Sequence, residues 1–260
     1  MRRQLRRRQF LGALGAAGVT GLAGCTGDGA DGGGGGGGAG PGDGSGGGDG
    51  GGGDATPTPA GTPWTLPDHD SLTGLDGQPV LGPPPGEAPG LVVAFEDPSC
   101  TICQRFERNT WPELESELVA TGKVSFVYRV MPITYPWGKP ATQALESTYA
   151  FAREAGQGRD APAFWGLKDA YYAERDRFAS GDTLAETEAY LASETDLDAE
   201  AVVAAAREKR HDDAVQADLA AGNEAGVSAT PTFFLFRDGE FETTIRGAQS
   251  YNVFATALGF

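Results

Sequence analysis

The stretch GLVVAFEDPSCTIC, residues 90–103, places two cysteines directly after a short apolar run. The run from Gly90 to Phe95 is rich in strand-forming residues and predicts a buried strand. After Cys103, residues on one helical face recur at a spacing of four: Phe106, Thr110, Leu114 and Leu118. Cys100 therefore falls at or just before a helix N-terminus, where unpaired N–H groups and the helix dipole stabilise an anion. A thiol at that point loses its proton more easily, and the thiolate is the nucleophile of disulfide exchange.

Composition limits how much of the chain can fold. The chain has 260 residues and a formal net charge of −16. Residues 26–62 are almost entirely Gly, Asp, Ser, Thr and Pro and cannot bury enough apolar surface to offset the entropy of ordering. The remaining residues, 63–260, suffice for one domain with a sizeable core.

Charge is distributed unevenly along the chain. All 36 acids but only 15 bases follow Cys25, and only four residues in the chain are lysines. This balance argues against binding of nucleic acid or anionic lipid through the folded domain. It also resembles the acidic surfaces of proteins from extreme halophiles.

Residues 1–24 have the pattern of an export signal, with five arginines before an uncharged, weakly apolar run too short to span a bilayer comfortably. The segment from Arg7 to Leu11 resembles the twin-arginine (Tat) consensus. The segment from Leu22 to Cys25 resembles a lipobox, in which the cysteine carries lipid. We therefore expect a protein anchored to the cell membrane at Cys25, facing the extracytoplasmic side, with residues 25–62 as a flexible stalk. The alternative is a plain signal cut elsewhere, with Cys25 incidental.

Cysteine usage narrows the chemistry further. If Cys25 is lipidated, Cys100 and Cys103 are the only pair left, and export places them in an oxidising compartment. A zinc site needs about four ligands, and neither His69 nor His211 has ligand spacing to the pair. We predict that both histidines are solvated surface residues and expect no metal site and no cofactor. A structural disulfide is the alternative, although closing a two-residue gap constrains the unfolded chain very little.

The rest of the chain predicts a defined order of elements. A second strand is expected over 123–130, and helical patterns follow over 139–155, 163–172, 184–192 and 199–219. Asp198 is the expected N-cap of the last of these helices, and Gly222 its stop. A strand after Pro231, a hairpin turn at Asp238-Gly239, a strand over 240–246 and a helix over 250–258 complete the chain.

Two motifs in this order resemble the DsbA-like branch of the thioredoxin superfamily. The first runs from Phe95 to Cys103, and the second is GVSATPTFF, residues 226–234. In that family a cis-proline lies opposite the cysteines, and here it would be Pro231, preceded by Thr230. The helical block at about 139–222 corresponds to the insertion that distinguishes DsbA-like proteins from plain thioredoxins. The resemblance covers about residues 79–260 and implies an α/β, thioredoxin-like fold with a helical insertion.

The chain departs from the family pattern at two places. Thr101-Ile102 stands where the family often has Pro-His, and Ala94 stands where many relatives have a buried acid. Glu96, on the same strand face as Ala94, is a candidate proton acceptor for Cys103, and the alternative is a solvated charge at the strand end. Without a neighbouring histidine and with acids nearby, we expect a Cys100 pKa above that of strongly oxidising relatives.

The resemblance implies a thiol–disulfide oxidoreductase acting on exported proteins. Cys100 would attack or be attacked, Cys103 would resolve the mixed disulfide, and Thr230 and Pro231 would bind an extended substrate segment. The implied partners are exported proteins with cysteines and a membrane redox partner that resets the pair. The direction, oxidant or reductant, stays open. Two alternatives are a surface-displayed binding module with an inert structural disulfide, and a peroxide-reducing enzyme, which only Arg105 supports.

Overall fold

The computed structural model describes residues 63–260, so the predicted export signal, Cys25 and the stalk lie outside the described residues. A five-stranded mixed sheet in the order β1-β3-β2-β4-β5 forms the centre of this part of the chain. The strands are β1 (Val80–Leu81), β2 (Gly90–Glu96), β3 (Val124–Val130), β4 (Thr232–Arg237) and β5 (Glu240–Arg246).

Helices cover both faces of the sheet. Helices α1 (Thr101–Asn109) and α2 (Trp111–Leu114) lie between β2 and β3, and α9 (Tyr251–Ala257) follows β5. Between β3 and β4 lie α3 (Gly138–Glu154), α4 (Pro162–Ala173), α5 (Arg175–Ser180), α6 (Thr183–Glu194), α7 (Ala199–Arg207) and α8 (Asp212–Glu224). Two 3₁₀ turns, Asp70–Leu72 and Leu75–Gly77, precede β1, and a π-helical turn, Glu115–Val119, follows α2. The expected thioredoxin-like fold with a helical insertion is confirmed. Among the helices of residues 63–260, none combines the length and apolar character needed to cross a bilayer.

Strand β2 lies at the centre of the sheet and leads into the cysteines. It pairs in parallel with β3 and antiparallel with β4. Val92 and Ala94 pack into the core on one face, while Leu91, Val93 and Phe95 pack into the core on the other. Because both faces are covered, the strand is apolar almost throughout.

The hairpin between β4 and β5 turns where the sequence predicts it. Asp238 and Gly239 both have positive φ, 49° and 91°. Two left-handed residues in succession form the type I′ turn, whose twist matches that of paired strands.

The last helix of the insertion differs from its prediction. Asp198 caps α7 as expected, because its carboxylate accepts from the N–H of Ala201. The helix then ends, since Lys209 adopts φ 55° and the N–H of Arg210 donates to the carbonyl of Ala205. A single helix over 199–219 was therefore wrong: two helices, α7 and α8, occupy this stretch.

Gly222 does not stop α8 but lies within it. A Cβ atom there would lie 3.0 Å from the sulfur of Met131 and 3.1 Å from the ring of Phe95. Glycine allows the helix to approach the sheet closely. The helix ends before Gly226, which has φ 75°.

The prediction of two solvated histidines was wrong in detail. His69 packs against the rings of Phe234, Phe236 and Phe241, with centroids 5.2, 5.2 and 4.8 Å away. Burial lowers the pKa of His69. His211 is half-buried and lies edge-on to Phe151. Within residues 63–260, no three His, Cys, Asp or Glu side chains lie close enough together to hold a metal ion.

Candidate active site

Cys100 lies at the N-terminus of α1, directly after the turn that leaves β2. It is the N-cap residue, and its N–H donates to the carbonyl of Asp97 at 2.9 Å. Its sulfur lies 3.3 Å from the carbonyl oxygen of Thr230. The side chain keeps only 4% of its surface exposed, and that of Cys103 keeps none. Cys100 is thus the more accessible of the two cysteines.

The environment lowers the pKa of Cys100 to about 5. The largest cause is a hydrogen bond from the Cys103 side chain, and burial opposes it. Further hydrogen bonds from the Thr230 side chain and from the N–H groups of Cys103 and Ile102 stabilise the thiolate. We expected the acids near Cys100 to raise this pKa, but they are not among its largest causes, and the hydrogen bonds outweigh the effect of burial. How this pKa compares with that of relatives stays a prediction.

Cys103 has the opposite electrostatics. Burial is the largest cause that raises its pKa well above the ordinary value, and the hydrogen bond to Cys100 and the charge of Glu96 add to it. The two sulfurs are therefore unequal: Cys100 is held as a thiolate, and Cys103 as a thiol.

The second sequence motif meets the first at this point. The peptide bond between Thr230 and Pro231 is cis. The carbonyl of Pro231 accepts from the N–H of Gly247, which ties the loop to the end of β5. Within residues 63–260, the N–H of Thr230 has no hydrogen-bond partner. The structure thus brings Cys100, Thr230 and Pro231 together, as the two motifs predict.

Glu96 is fully buried at the end of β2, so its alternative as a solvated strand-end charge was wrong. Neither carboxyl oxygen has a hydrogen-bond partner of good geometry, although the Tyr172 hydroxyl lies near enough to favour the ionised form. Burial raises the pKa of Glu96 well above its usual value, and the nearby charge of Glu107 adds to this. Its charge in turn raises the pKa of Cys103. A buried carboxyl whose pKa is raised therefore lies beside the inner sulfur.

Lys168 is a buried cation next to this carboxyl, and we did not predict it. Its Nζ lies 2.7 Å from Glu107 Oε2 and 3.3 Å from Asp169 Oδ1. Four aromatic rings surround it: Trp111, Tyr128, Trp165 and Tyr172. Burial lowers its pKa, but the charges of Glu107, Asp169 and Glu96 outweigh this and raise it. Burial raises the pKa of Glu107 to about 6. A lone lysine among the apolar residues of PAFWGLKDAYYA was the available signal.

Arg175 is a second unpredicted residue at the site. It lies on the short helix α5, and its Nε and Nη2 donate to the carbonyl of Ser99 at 3.2 and 3.1 Å. Its guanidinium lies 5.1 Å from the ring of Tyr135 and 5.8 Å from that of Trp137. The insertion thus contacts the residue immediately before Cys100.

Two sequence candidates do not join the site. Arg105 is exposed on α1 and is not among the groups with the largest influence on the pKa of Cys100. Cys25 lies outside the described residues.

Comparisons with known proteins agree with this geometry. The sequence profile of the family described as Thioredoxin matches residues 76–250. The Na(+)/H(+) antiporter NhaA 3 of Salinispora tropica is 30% identical over 171 residues, which are 65% of this chain and 22% of that protein. The match thus spans about a fifth of the length of the antiporter, and the transport activity that its name describes is a property of that protein.

Solved structures share the fold at low sequence identity. Alpha-DsbA1 of Wolbachia pipientis has a TM-score of 0.58 and 22% identity, over 74% of this chain and 94% of that one. Oxidised BdbD of Bacillus subtilis has a TM-score of 0.57 and 20% identity, over 76% of this chain and 100% of that one. The chain therefore belongs to the thioredoxin family, has a DsbA-like fold and carries the cysteine pair Cys100 and Cys103.

Proposed function

We propose that this protein oxidises cysteine pairs in exported proteins. The observation that carries the proposal is the opposite shift of the two thiols, with a Cys100 pKa of about 5 and a Cys103 pKa well above its usual value. A stabilised Cys100 thiolate favours the reduced form of the pair over its disulfide. The disulfide therefore tends to pass to a substrate, which selects oxidation as the direction.

The proposed reaction has two exchange steps. A substrate thiolate attacks Cys100 Sγ, the Cys100–Cys103 bond breaks, and Cys103 leaves as a thiolate that takes up a proton. A second substrate thiolate then attacks the substrate sulfur of the mixed disulfide and releases Cys100 as a thiolate. The substrate loses two electrons and the cysteine pair gains them.

Glu96 has the proposed role of exchanging the proton of Cys103. Its raised pKa keeps a proton available beside the inner sulfur when Cys103 leaves. In the reverse direction it accepts that proton, the role expected from the sequence. Both directions use the same carboxyl, whose two oxygens have no hydrogen-bond partner of good geometry within residues 63–260.

Thr230 and Pro231 have the proposed role of holding the substrate. The free N–H of Thr230 can bond an extended segment as a strand does. Pro231 has no N–H and leaves space beside the sulfur.

We further propose that the protein is anchored by lipid at Cys25 and faces the extracytoplasmic side. This rests on the Tat-like arginines at Arg7 and Arg8, the lipobox-like Leu22 to Cys25 and the glycine-rich stalk. The acidic composition fits a halophile-like surface, and a membrane redox partner would reoxidise the pair. Mass spectrometry of the N-terminal peptide from membranes tests the anchor, and an unmodified Cys25 would refute it.

The test of function is oxidation of a reduced, unfolded protein with several cysteines by the purified chain. All variants carry Cys25→Ser, so that the third thiol does not contribute. We expect Cys100→Ser and Cys103→Ser each to abolish oxidation, because neither can form the intramolecular disulfide. Mixed with a substrate that contains a disulfide, Cys103→Ser should accumulate a mixed disulfide, because the Cys100 thiolate attacks one substrate sulfur and the other leaves as a thiolate. If the parent leaves the thiols of the substrate unoxidised and its own pair resists mild reductant, the inert binding module is the better account.

A further inference from the structure

The carboxylate of Asp97 joins two segments that are 37 residues apart in sequence. On one side, Asp97 Oδ1 accepts from the N–H and the hydroxyl of Ser99 at 2.8 and 2.6 Å. On the other side, its Oδ2 accepts from the N–H of Thr134 at 2.7 Å. The hydroxyl of Ser99 also accepts from the N–H of Tyr135 at 3.0 Å. The turn before Cys100 is thus bonded to the loop over residues 131–137, which follows β3.

This loop lies beside the place where the proposed function puts the substrate. The hydroxyls of Thr134 and Thr230 are 3.5 Å apart, and Thr230 contacts the Cys100 sulfur. The loop also carries two of the large apolar side chains that are most exposed in residues 63–260, Ile133 at 46% and Tyr135 at 45%. Exposed apolar side chains next to a reactive sulfur form a contact surface for a polypeptide.

Space around the carboxylate is fully used. A Cβ atom on Gly138 would lie 2.5 Å from Asp97 Oδ1 and 2.7 Å from the hydroxyl of Ser99. Glycine is therefore required where the loop enters α3. Arg175 holds the same junction from the insertion, through the Ser99 carbonyl and the ring of Tyr135. Close packing of this kind fixes the loop in one position.

We propose that Asp97 is a positioning residue that holds the loop over residues 131–137 as one wall of the substrate site. The inference rests on the proposed function and specifies which side chains a protein substrate meets. Ile133 and Tyr135 contact the substrate segment next to its cysteine, and Asp97 keeps them in place. The side chain of Asp97 takes no part in the exchange itself, so loss of its carboxylate weakens binding of a polypeptide and leaves the reaction of the sulfurs intact.

The test compares a polypeptide substrate with a small one. The variant is Asp97→Asn on the Cys25→Ser background. Asparagine still offers Oδ1 to Ser99, but its NH₂ group cannot accept from Thr134, which leaves that N–H unsatisfied. The variant and its parent oxidise a dithiol peptide with apolar residues beside its cysteines, and separately dithiothreitol, and the pKa of Cys100 is read from thiolate absorbance.

We expect the KM for the peptide to rise about tenfold, which corresponds to about 1.4 kcal/mol. The kcat for the peptide and the rate with dithiothreitol should each change by less than about twofold. The pKa of Cys100 should change by no more than a few tenths of a unit. Amide hydrogen exchange at Thr134 and Tyr135 should become faster. Ser99→Ala, which breaks the bond to Tyr135, should act in the same direction, and the double variant should lose less than the product of the two. Asp76→Asn makes the same chemical change at an exposed carboxylate and should alter nothing.

Two results would overturn the inference while leaving the proposed function standing. One is an equal loss with the peptide and with dithiothreitol, because Asp97 would then act on the sulfurs. The other is an unchanged KM in both Asp97→Asn and Ser99→Ala. An inactive parent would instead contradict the proposed function. If Asp97→Asn does not fold, Ser99→Ala carries the same comparison.

Discussion

The sheet has a buried charge cluster on each face, and the two clusters differ in how well their groups are bonded. On the face away from the cysteines, both oxygens of Asp218 are bonded: Oδ1 to Arg129 and Gln78, and Oδ2 to the N–H of Val130. Arg129 also donates to the carbonyls of Ser71 and Thr73. On the cysteine face, neither oxygen of Glu96 has a hydrogen-bond partner of good geometry.

This difference separates a structural cluster from a reactive one. The Arg129–Asp218 pair, which we call the staple, ties β3, α8 and the segment before β1 together, and both oxygens of its carboxylate are bonded, although Arg129 Nη2 has no hydrogen-bond partner within residues 63–260. An unsatisfied buried carboxyl costs stability and persists where it has a task. The position of Glu96 beside Cys103 gives it one. The predictions below test this contrast.

The largest effect should come from breaking the staple. Asp218→Ala removes the carboxylate that is bonded to the buried guanidinium of Arg129. We expect a loss of about 3–5 kcal/mol in the free energy of unfolding. The rate of dithiol oxidation per folded molecule should stay the same. Chemical denaturation and single-turnover kinetics measure the two quantities.

Asp213→Ala is the matched control, because it removes an exposed aspartate from the same helix. It should change the free energy of unfolding by less than about 0.5 kcal/mol. A folded Asp218→Ala protein with impaired chemistry would show that the staple also serves the site.

Removing the buried cation on the cysteine face should have the next largest effect. Lys168→Met leaves Glu107 and Glu96 without their positive neighbour, so their folded-state pKa values rise further. An acid with a raised folded pKa stabilises the protein at low pH and loses that contribution as pH rises through the folded pKa. We therefore expect a loss of about 3 kcal/mol at pH 8 and a smaller loss at pH 5.

Lys139→Met, at an exposed lysine, is the control for this change. Unfolding curves at the two pH values give the comparison. A loss in Lys168→Met that does not depend on pH would contradict the coupling between the lysine and the two acids.

Replacing Glu96 should have an effect of opposite sign. The pKa of Glu96 is well above its unfolded value, so the protein loses stability as pH rises from the unfolded towards the folded pKa. Glu96→Gln removes that loss, and we expect a gain on the order of 1 kcal/mol at pH 8 with little gain at pH 4. Thiol–disulfide exchange by this variant should slow above neutral pH, because Cys103 then lacks the carboxyl group with which it exchanges its proton.

Glu87→Gln, at an exposed carboxylate, controls for a general charge effect. A Glu96→Gln variant that loses stability equally at both pH values would mean that this carboxyl is structural, as on the other face.

The sequence predicted the position of the cysteines and the Thr-Pro loop better than it predicted the buried charges. A strand, a CxxC and a Thr-Pro loop are local patterns, and their order predicted the meeting of Cys100 with Thr230 and Pro231. The parity of β2 also predicted the face of Glu96, but whether it is buried depends on α4, which covers it from a distant part of the chain. Lys168 and Arg175 depend on the same long-range packing. The apolar neighbours of Lys168 in the sequence are a local signal, but they do not show that its charge is buried against Glu107.

The smallest effect should come from His69, at the edge of the staple. Its Nδ1 accepts from the N–H of Ser71, whose carbonyl is bonded by Arg129. Burial lowers the pKa of His69, so its contribution is present above the unfolded pKa and is lost as pH falls through the folded pKa. We expect His69→Phe, which keeps the contact with the rings of Phe234 and Phe241, to flatten the decline in stability between pH 7 and pH 5. The change should be a few tenths of a kcal/mol, because the ring is only half-buried. Thermal unfolding across this range measures it, and an unchanged slope would show that this histidine does not couple pH to the staple.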